Sequence, residues 1–410
     1  MSKQYVIVGN GIAGLTAAQV IRSLDREGQI SLIGEESHLT YSRPMLSKAP
    51  LRGFSAETFT VKPEKWYREQ RIMNLLSAKV TALESEEKKV ELATGEKLPY
   101  DECILATGAE SFVPPIKGSD KDGVFVVRRL EDMENIRTYR LKARTAVVIG
   151  GGVIGLEIAW ELKKSGLQVV VLELAKCLME RLLDSQSSAV LERIVKEQGI
   201  GAVTDVRIRE ILGENCAEQV TLEDGRVYPA DMVILSCGIR ANSGLAKAAG
   251  IETNRGILVN NRMQTSMPHV YACGDCAEFN GVNLAIWKQA AAQARVAAMN
   301  CVGMAVRYAG IKSDLVFEGL NTSMFMIGDA GKNLEKQYEE IVRENQHRKE
   351  KTFMLNFLMP TDYSYEKYFF AEGKLVGAVL IGNLHPMQAV QRAVKKGMPK
   401  EKFLQRMDFE

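Results

Sequence analysis

Short runs of β-branched and apolar residues alternate with amphipathic stretches over most of the chain. This alternation predicts parallel strands joined by helices. The clearest strands fall at residues 5–8, 30–33, 102–105, 145–149, 168–172 and 232–235. Gly-rich turns follow the first and the fourth. Residues 113–118, VPPIKG, read as a linker leaving one domain. The Ala-rich stretch at 284–299 predicts a helix. After Lys312 the pattern changes: residues 315–327 and 364–381 read as antiparallel strands, with a hairpin turn at AEGK (371–374). A further helix is expected over 386–396.

The pattern also contains an approximate repeat. YVIVGNGIAG (5–14) and AVVIGGGVIG (146–155) are each a strand, then G-x-G-x-x-G, then a helix start rich in small residues. In such a loop the first glycine makes the tight turn, the second admits a pyrophosphate to the backbone, and the third lets helix and strand pack closely. The helix N-terminus adds positive dipole for the phosphates. The first set is Gly9, Gly11 and Gly14, and the second is Gly150, Gly152 and Gly155. Each is followed by a second strand ending in acid. Glu173 lies 23 residues beyond Gly150, and Glu35 lies 26 beyond Gly9. A carboxylate at that place accepts from a ribose 2′-hydroxyl and repels a 2′-phosphate, so Glu173 favours NAD over NADP. The expected fold class is therefore α/β, with two dinucleotide-binding Rossmann-like domains and a C-terminal α+β domain.

Composition narrows the function. At roughly 100–200 residues per domain, 410 residues imply two to four domains. A net charge of +2 argues against a nucleic-acid binder. No run of apolar residues is long enough for a membrane span. The first strand begins after four residues, which leaves no room for a signal peptide. Seven scattered cysteines suit a reducing cytoplasm better than a disulfide framework. The four histidines (His38, His269, His347, His385) include no pair with metal-ligand spacing, so no metal site is expected.

With these motifs in order, the chain resembles the FAD-dependent pyridine nucleotide oxidoreductases, with a glutathione-reductase-like fold, over about residues 3–310. The first fingerprint looks like the FAD site, and Ala106-Thr107-Gly108 looks like the family's ATG turn. The second fingerprint looks like the NAD site. SCGIRAN (236–242) resembles the exit from the NAD domain, and TSMPHVYACGD (265–275) resembles the second FAD motif, ending in the aspartate that binds the flavin ribitol. YSRPMLSK (41–48) is similar to the ferredoxin- and rubredoxin-reductase branch, which includes the flavin half of nitrite reductases. The resemblance implies FAD contacts at Gly9, Gly11, Ala13, Gly14, Glu35, Arg43, Lys48, Val80, Ala106, Thr107, Gly108, Arg128, Gly274, Asp275 and Trp287. It implies NAD contacts at Gly150, Gly152, Val153, Ile154, Gly155, Glu157, Glu173 and Gly238. Lys48 and Glu157 would pair beside the flavin as the catalytic residues. The domains would be 1–112 with 243–312 for FAD, 113–242 for NAD, and 313–410 as an interface or acceptor domain.

Thiol placement then selects an electron outlet. Relatives that reduce disulfides or peroxides carry cysteine in the helix after the first ribose acid, yet no cysteine lies between Gly34 and Tyr100. Cys273 and Cys276 form one C-x-x-C, but it overlaps the proposed FAD motif. His385-Pro386 resembles the His-Pro of disulfide reductases, here without a thiolate to serve. The expectation is hydride transfer from NADH to flavin, then single electrons to a small acidic carrier such as rubredoxin or ferredoxin. The basic tail (Arg392, Lys395, Lys396, Lys400, Lys402, Arg406) could steer such a carrier. Three alternatives stay open: a flavoprotein subunit with iron–sulfur partners, including a nitrite-reductase-type partner, an NADH oxidase or peroxidase, and an NAD-responsive redox sensor. A homodimer also stays open.

Overall fold

The computed structural model describes residues 2–48, 51, 55–311, 314–333, 337–346 and 363–407. His347 lies outside the described residues, as do residues 312–313, where the third expected domain would begin. The chain divides into two compact units. One comprises Met1–Met45, Ser55–Phe112 and Gly238–Ile311, and the other Leu46–Phe54, Val113–Cys237 and Lys312–Glu410.

The first unit is built on a five-stranded parallel sheet. Its order is Val270–Ala272, Glu102–Leu105, Gln4–Val8, Gln29–Ile33 and Ile72–Leu75. Strands covered on both faces must be apolar at nearly every position, and alternate residues feed two cores. Tyr5, Ile7 and Ile104 face a cluster with the helices Ile12–Leu24 and Trp287–Cys301. Val6, Val8, Cys103 and Leu105 face a second cluster under the antiparallel strands Val80–Glu84, Lys89–Leu92 and Lys97–Pro99. The two helices meet through Ala17, Ala18, Ala294, Ala297 and Ala298, all buried, so their axes can approach closely. That contact accounts for the Ala-rich composition of the second helix.

This helix starts at Trp287, three residues later than its composition predicts. Ala285 has positive φ, and the Asn283 side chain accepts its N–H at 3.0 Å while donating to the Asp275 carbonyl at 2.7 Å. A side-chain-locked turn thus replaces the expected first helical turn.

The second unit repeats the plan. Its parallel sheet runs Val124–Val126, Met232–Leu235, Thr145–Ile149, Gln168–Leu172 and Gly201–Val203, and an antiparallel meander (Ile208–Leu212, Gln219–Leu222, Val227–Pro229) again precedes the fourth strand in chain order among its last four. The unit also holds a five-stranded antiparallel sheet ordered Asp314–Gly319, Thr322–Gly328, Lys374–Ile381, Tyr363–Ala371 and Glu339–Gln346. The single apolar run at 315–327 is two strands, because Leu320 and Asn321 both take positive φ and turn the chain. The 371–374 hairpin forms as expected, with Glu372 and Gly373 at positive φ. The helix Met387–Lys396 packs Val390, Ala393 and Val394 on this sheet and ends at Gly397 in the left-handed region.

One buried cation ties this sheet to the helix Ser185–Glu197. Lys367 is 2% exposed, with Nζ 2.7 Å from Asp184 and 2.8 Å from Glu340. Asp184 is the N-cap of that helix and also accepts the Ser187 N–H. Removing one partner of a buried ion pair leaves the other uncompensated, a loss of about 3–5 kcal/mol. Lys367→Met should therefore lower stability by roughly 3 kcal/mol in thermal or urea unfolding. The double variant with Asp184→Asn should recover part of the loss, and an unchanged single variant would show that the cluster contributes nothing.

Candidate functional site

Both Gly-rich turns sit at the carboxyl ends of parallel strands, where open α/β sheets bind ligands. The reason each glycine is glycine differs by position. Gly9 has φ of +119°, and a Cβ there would lie 2.0 Å from the Ala106 carbonyl oxygen. A Cβ on Gly14 would lie 1.9 Å from the Gly9 oxygen. The second turn repeats this: Gly150 has φ of +113° with its Cβ position 2.3 Å from the Ser236 oxygen, and that of Gly155 is 2.0 Å from the Gly150 oxygen. These four residues are required by the chain's own packing.

Gly11 and Gly152 are not. Their φ values of −91° and −80° suit any residue, and a Cβ on either meets nothing within 4 Å among the described residues. Each is the N-cap of its helix, with no side-chain cap and no acid in the first turn. Backbone N–H groups therefore face open space at a positive dipole end, the requirement for holding a pyrophosphate. The residues present fit a dinucleotide at each turn.

Around the first turn, several expected residues come together. A Cβ on Gly274, at φ +80°, would lie 2.9 Å from the Ala13 Cβ, so the 274–276 turn rests against the first helix. Thr107 Oγ1 donates to the Asn242 carbonyl at 2.7 Å, and Asn242 Nδ2 donates to the Thr107 carbonyl at 3.0 Å. The strand Ile239–Ala241 pairs with Ala109–Ser111, which joins the ATG turn to the segment after Gly238. Asp275 follows Gly274 in a one-turn helix, and Trp287, half-buried, opens the long one.

The acids after the second strand divide their roles. Glu35 is half exposed and pairs with Lys79 at 3.1 Å. Glu36, not singled out from the sequence, pairs with Arg43 and accepts from Tyr41 Oη at 2.7 Å. Residues 77–80 run beside these acids: the Ala78 N–H donates to the Gly34 carbonyl, and Val80 is half-buried one residue beyond Lys79.

In the second unit, Glu173 accepts backbone N–H bonds from Gly151 at 2.5 Å and Ala175 at 2.7 Å. Beside open Gly152, Ile154 is exposed and Val153 half-buried in the first helical turn. The backbone N–H groups of Arg128 and Arg129 both donate to the Asp132 carboxylate, so the pair frames the start of the helix Leu130–Tyr139.

Lys48 and Glu157 lie 3.7 Å apart, although 109 residues separate them. Glu157 is 3% exposed and accepts from Ser47 Oγ, while its Oε1 has no hydrogen-bond partner among the described residues. Lys48 also approaches Glu318 at 3.6 Å. Burial raises the Glu157 carboxyl to about 7, against the pull of Ser47 and Lys48. Ser47 and Glu318 are further members that the sequence did not point to. The remaining thiol candidates are inert: Cys273 and Cys276 are fully buried, and burial raises both thiols. His385 is exposed, its backbone N–H held by Asn383. Among the described residues no cluster could hold a metal ion.

Comparison with known proteins agrees with this geometry. The sequence profile of the family "Pyridine nucleotide-disulphide oxidoreductase" matches residues 3–301. Nitrite reductase [NAD(P)H] of Bacillus subtilis (strain 168) is 34% identical over 383 residues, which is 93% of this chain but 46% of that protein. The chain thus spans less than half of that relative's length. The ferredoxin–NAD(+) reductase subunit of the benzene 1,2-dioxygenase system of Pseudomonas putida is 36% identical over 277 residues, 68% of each chain. Among solved structures, the ferredoxin reductase for the CYP199A2 system from Rhodopseudomonas palustris superposes with a TM-score of 0.85 at 28% identity, covering 98% of this chain and 99% of that one.

The open fingerprint glycines should matter for binding and little for stability. Gly152→Ala should change the stability of the unliganded protein by less than about 1 kcal/mol, because restricting the unfolded chain at a compatible φ is offset by alanine's poorer N-cap. The same change should weaken dinucleotide binding by about tenfold or more, or 1.4 kcal/mol. Gly150→Ala should be strongly destabilising. Melting temperatures and NADH titrations distinguish the two, and equal effects would refute the division of roles.

Glu157 predicts a pH dependence. Its folded pKa lies above its unfolded one, so its contribution is complete below about 4.5 and is lost as pH rises through about 7. Wild type should therefore lose about 1–3 kcal/mol relative to Glu157→Gln between these limits. Parallel melting-temperature profiles for the two proteins would refute it.

Proposed function

We infer the function from one premise: the chain belongs to the pyridine nucleotide-disulphide oxidoreductase family and is an oxidoreductase that uses FAD and NAD(H). We propose that it takes hydride from NADH and passes electrons from the flavin directly to a small one-electron carrier such as rubredoxin or ferredoxin. The observation that carries this reading is the thiol distribution. No cysteine lies between Gly34 and Tyr100, and Cys273 and Cys276 are buried with raised thiols. A thiol relay has no residue in that segment and no accessible thiol in the C-x-x-C.

In this reading the three domains expected from sequence keep their roles. Gly9, Gly11, Ala13, Gly14, Ala106, Thr107, Gly108, Gly274, Asp275 and Trp287 bind FAD, with Glu35, Arg43, Val80 and Arg128 at its flanks. Gly150, Gly152, Val153, Ile154, Gly155 and Gly238 bind NAD(H). Glu173, which accepts two backbone N–H groups, selects the 2′-hydroxyl over a 2′-phosphate. Lys48 and Glu157 keep the catalytic places that the resemblance implies, with Glu157 able to hold a proton near neutral pH. Bound FAD supplies the two-electron to one-electron conversion, and the chain supplies position and electrostatics. The seven unpaired cysteines suit a cytoplasmic setting, and among the described residues no helix is long and apolar enough to cross a membrane.

A second reading rests on one comparison. The nitrite reductase that this chain matches is more than twice as long as the shared part. The chain would then be the flavoprotein part of a larger assembly with iron–sulfur partners.

Stopped-flow mixing with NADH should bleach the flavin, and thiol alkylation should leave turnover unchanged. Rubredoxin or ferredoxin should accept electrons faster than oxygen, peroxide or coenzyme A disulfide. Loss of turnover on alkylation, or fast peroxide consumption, would overturn the direct outlet. Co-purification with an iron–sulfur subunit would favour the second reading.

A further inference from the structure

The helix Trp287–Cys301 carries two buried glutamines one turn apart, Gln289 and Gln293. A spacing of four places them on the same helix face. Each accepts a backbone N–H from the segment that precedes the helix. Gln289 Oε1 accepts from Leu284 at 2.9 Å, and Gln293 Oε1 accepts from Gly274 at 2.9 Å. Together they fasten the 274–284 segment to the helix.

Gln293 is left with an unmet demand. It is 0% exposed, yet its Nε2 has no hydrogen-bond partner among the described residues. Flipping the amide does not help, because the Gly274 N–H can only be met by the oxygen. A buried amide donor without an acceptor is costly, and native structures rarely leave one. Its bonded neighbour Gly274 lies against Ala13, in the first turn of the helix whose N-terminal N–H groups are uncapped. Asp275 is the next residue. The unmet donor therefore belongs to the same turn that the fingerprint and Asp275 share.

We propose that Gln293 is a positioning residue for FAD: Oε1 holds the Gly274–Asp275 turn in place, and Nε2 donates to an acceptor supplied when FAD binds. The proposal rests on the reading that the first Gly-rich turn binds FAD.

Two variants test it, by titrating flavin-free protein with FAD and by melting the flavin-free form. Gln293→Met removes both functions at similar length. Its FAD dissociation constant should rise at least tenfold, while the flavin-free melting temperature falls only modestly, because the Gly274 N–H loses its acceptor but the unmet Nε2 is removed as well. Gln293→Glu keeps an acceptor for Gly274 at any pH but regains a donor only when protonated. Its FAD affinity, relative to that of wild type at the same pH, should therefore rise at least tenfold from about pH 8 to about pH 5.5. Wild-type affinity in Gln293→Met, or a flat profile in Gln293→Glu, overturns the proposal. So does a fall in the flavin-free melting temperature large enough to account for the lost binding. Failure of the flavin-free wild type to bind FAD at all would instead overturn the underlying reading.

Discussion

Two backbone carbonyls pressed against glycine Cα atoms hold the architecture together. The Ala106 oxygen occupies the space where a side chain on Gly9 would begin, and the Ser236 oxygen does the same at Gly150. In each unit this contact brings the turn after the central strand against the turn after its neighbour. The helix then follows at once, because Gly14 and Gly155 lie against the carbonyls of Gly9 and Gly150. The consequence is a helix N-terminus at the end of the sheet with nothing within 4 Å of the Gly11 or Gly152 Cβ position among the described residues. The packing requirement of four glycines thus creates the space that the other two, Gly11 and Gly152, leave open. One steric constraint, met twice, sets both candidate sites.

Around the first site the loops are held by side chains rather than by regular structure. Asn242 bonds the 106–108 turn, Asn283 bonds the 275 turn, and Gln289 and Gln293 fasten both ends of the segment before their helix. Loops carry polar backbone that must be paired when buried, and amide side chains can donate and accept at once. Their use here ties the turns that carry Thr107 and Asp275, and the start of the Trp287 helix, to neighbouring segments of the first unit.

Two buried ionisable groups of the second unit show how local partners decide the same desolvation penalty differently. Burial opposes the charge on Lys367, but Asp184 and Glu340, both under 3 Å away, outweigh it and its pKa is raised. Glu157 meets its cation only at 3.7 Å, and the acid Glu318 shares that cation. Burial prevails there, and the carboxyl rises to about 7. The first arrangement holds an ion pair as a structural tie. The second holds a proton close to neutral pH, as an acid–base group requires.

By itself the sequence determined the local and steric features. The two fingerprints, the central strands at 145–149, 168–172 and 232–235 and the 371–374 hairpin were all readable. Each depends on residue type at a short spacing: glycine where φ is positive, β-branched runs where both faces are buried, turn residues at a fixed offset. Family resemblance supplied the pairing of Lys48 with Glu157, which no spacing could show. Only the tertiary structure decided that Gly11 and Gly152 are the fingerprint glycines the protein itself does not need, that Glu36 pairs with Arg43, and that the Ala-rich helix waits until Trp287. It alone revealed the meanders that precede strands 102–105 and 232–235, the buried Lys367 cluster and the unmet Nε2 of Gln293. The reason is common to all of these. Open space, burial and hydrogen-bond satisfaction are properties of a residue's neighbours in space, and those neighbours are brought together from segments far apart in the chain.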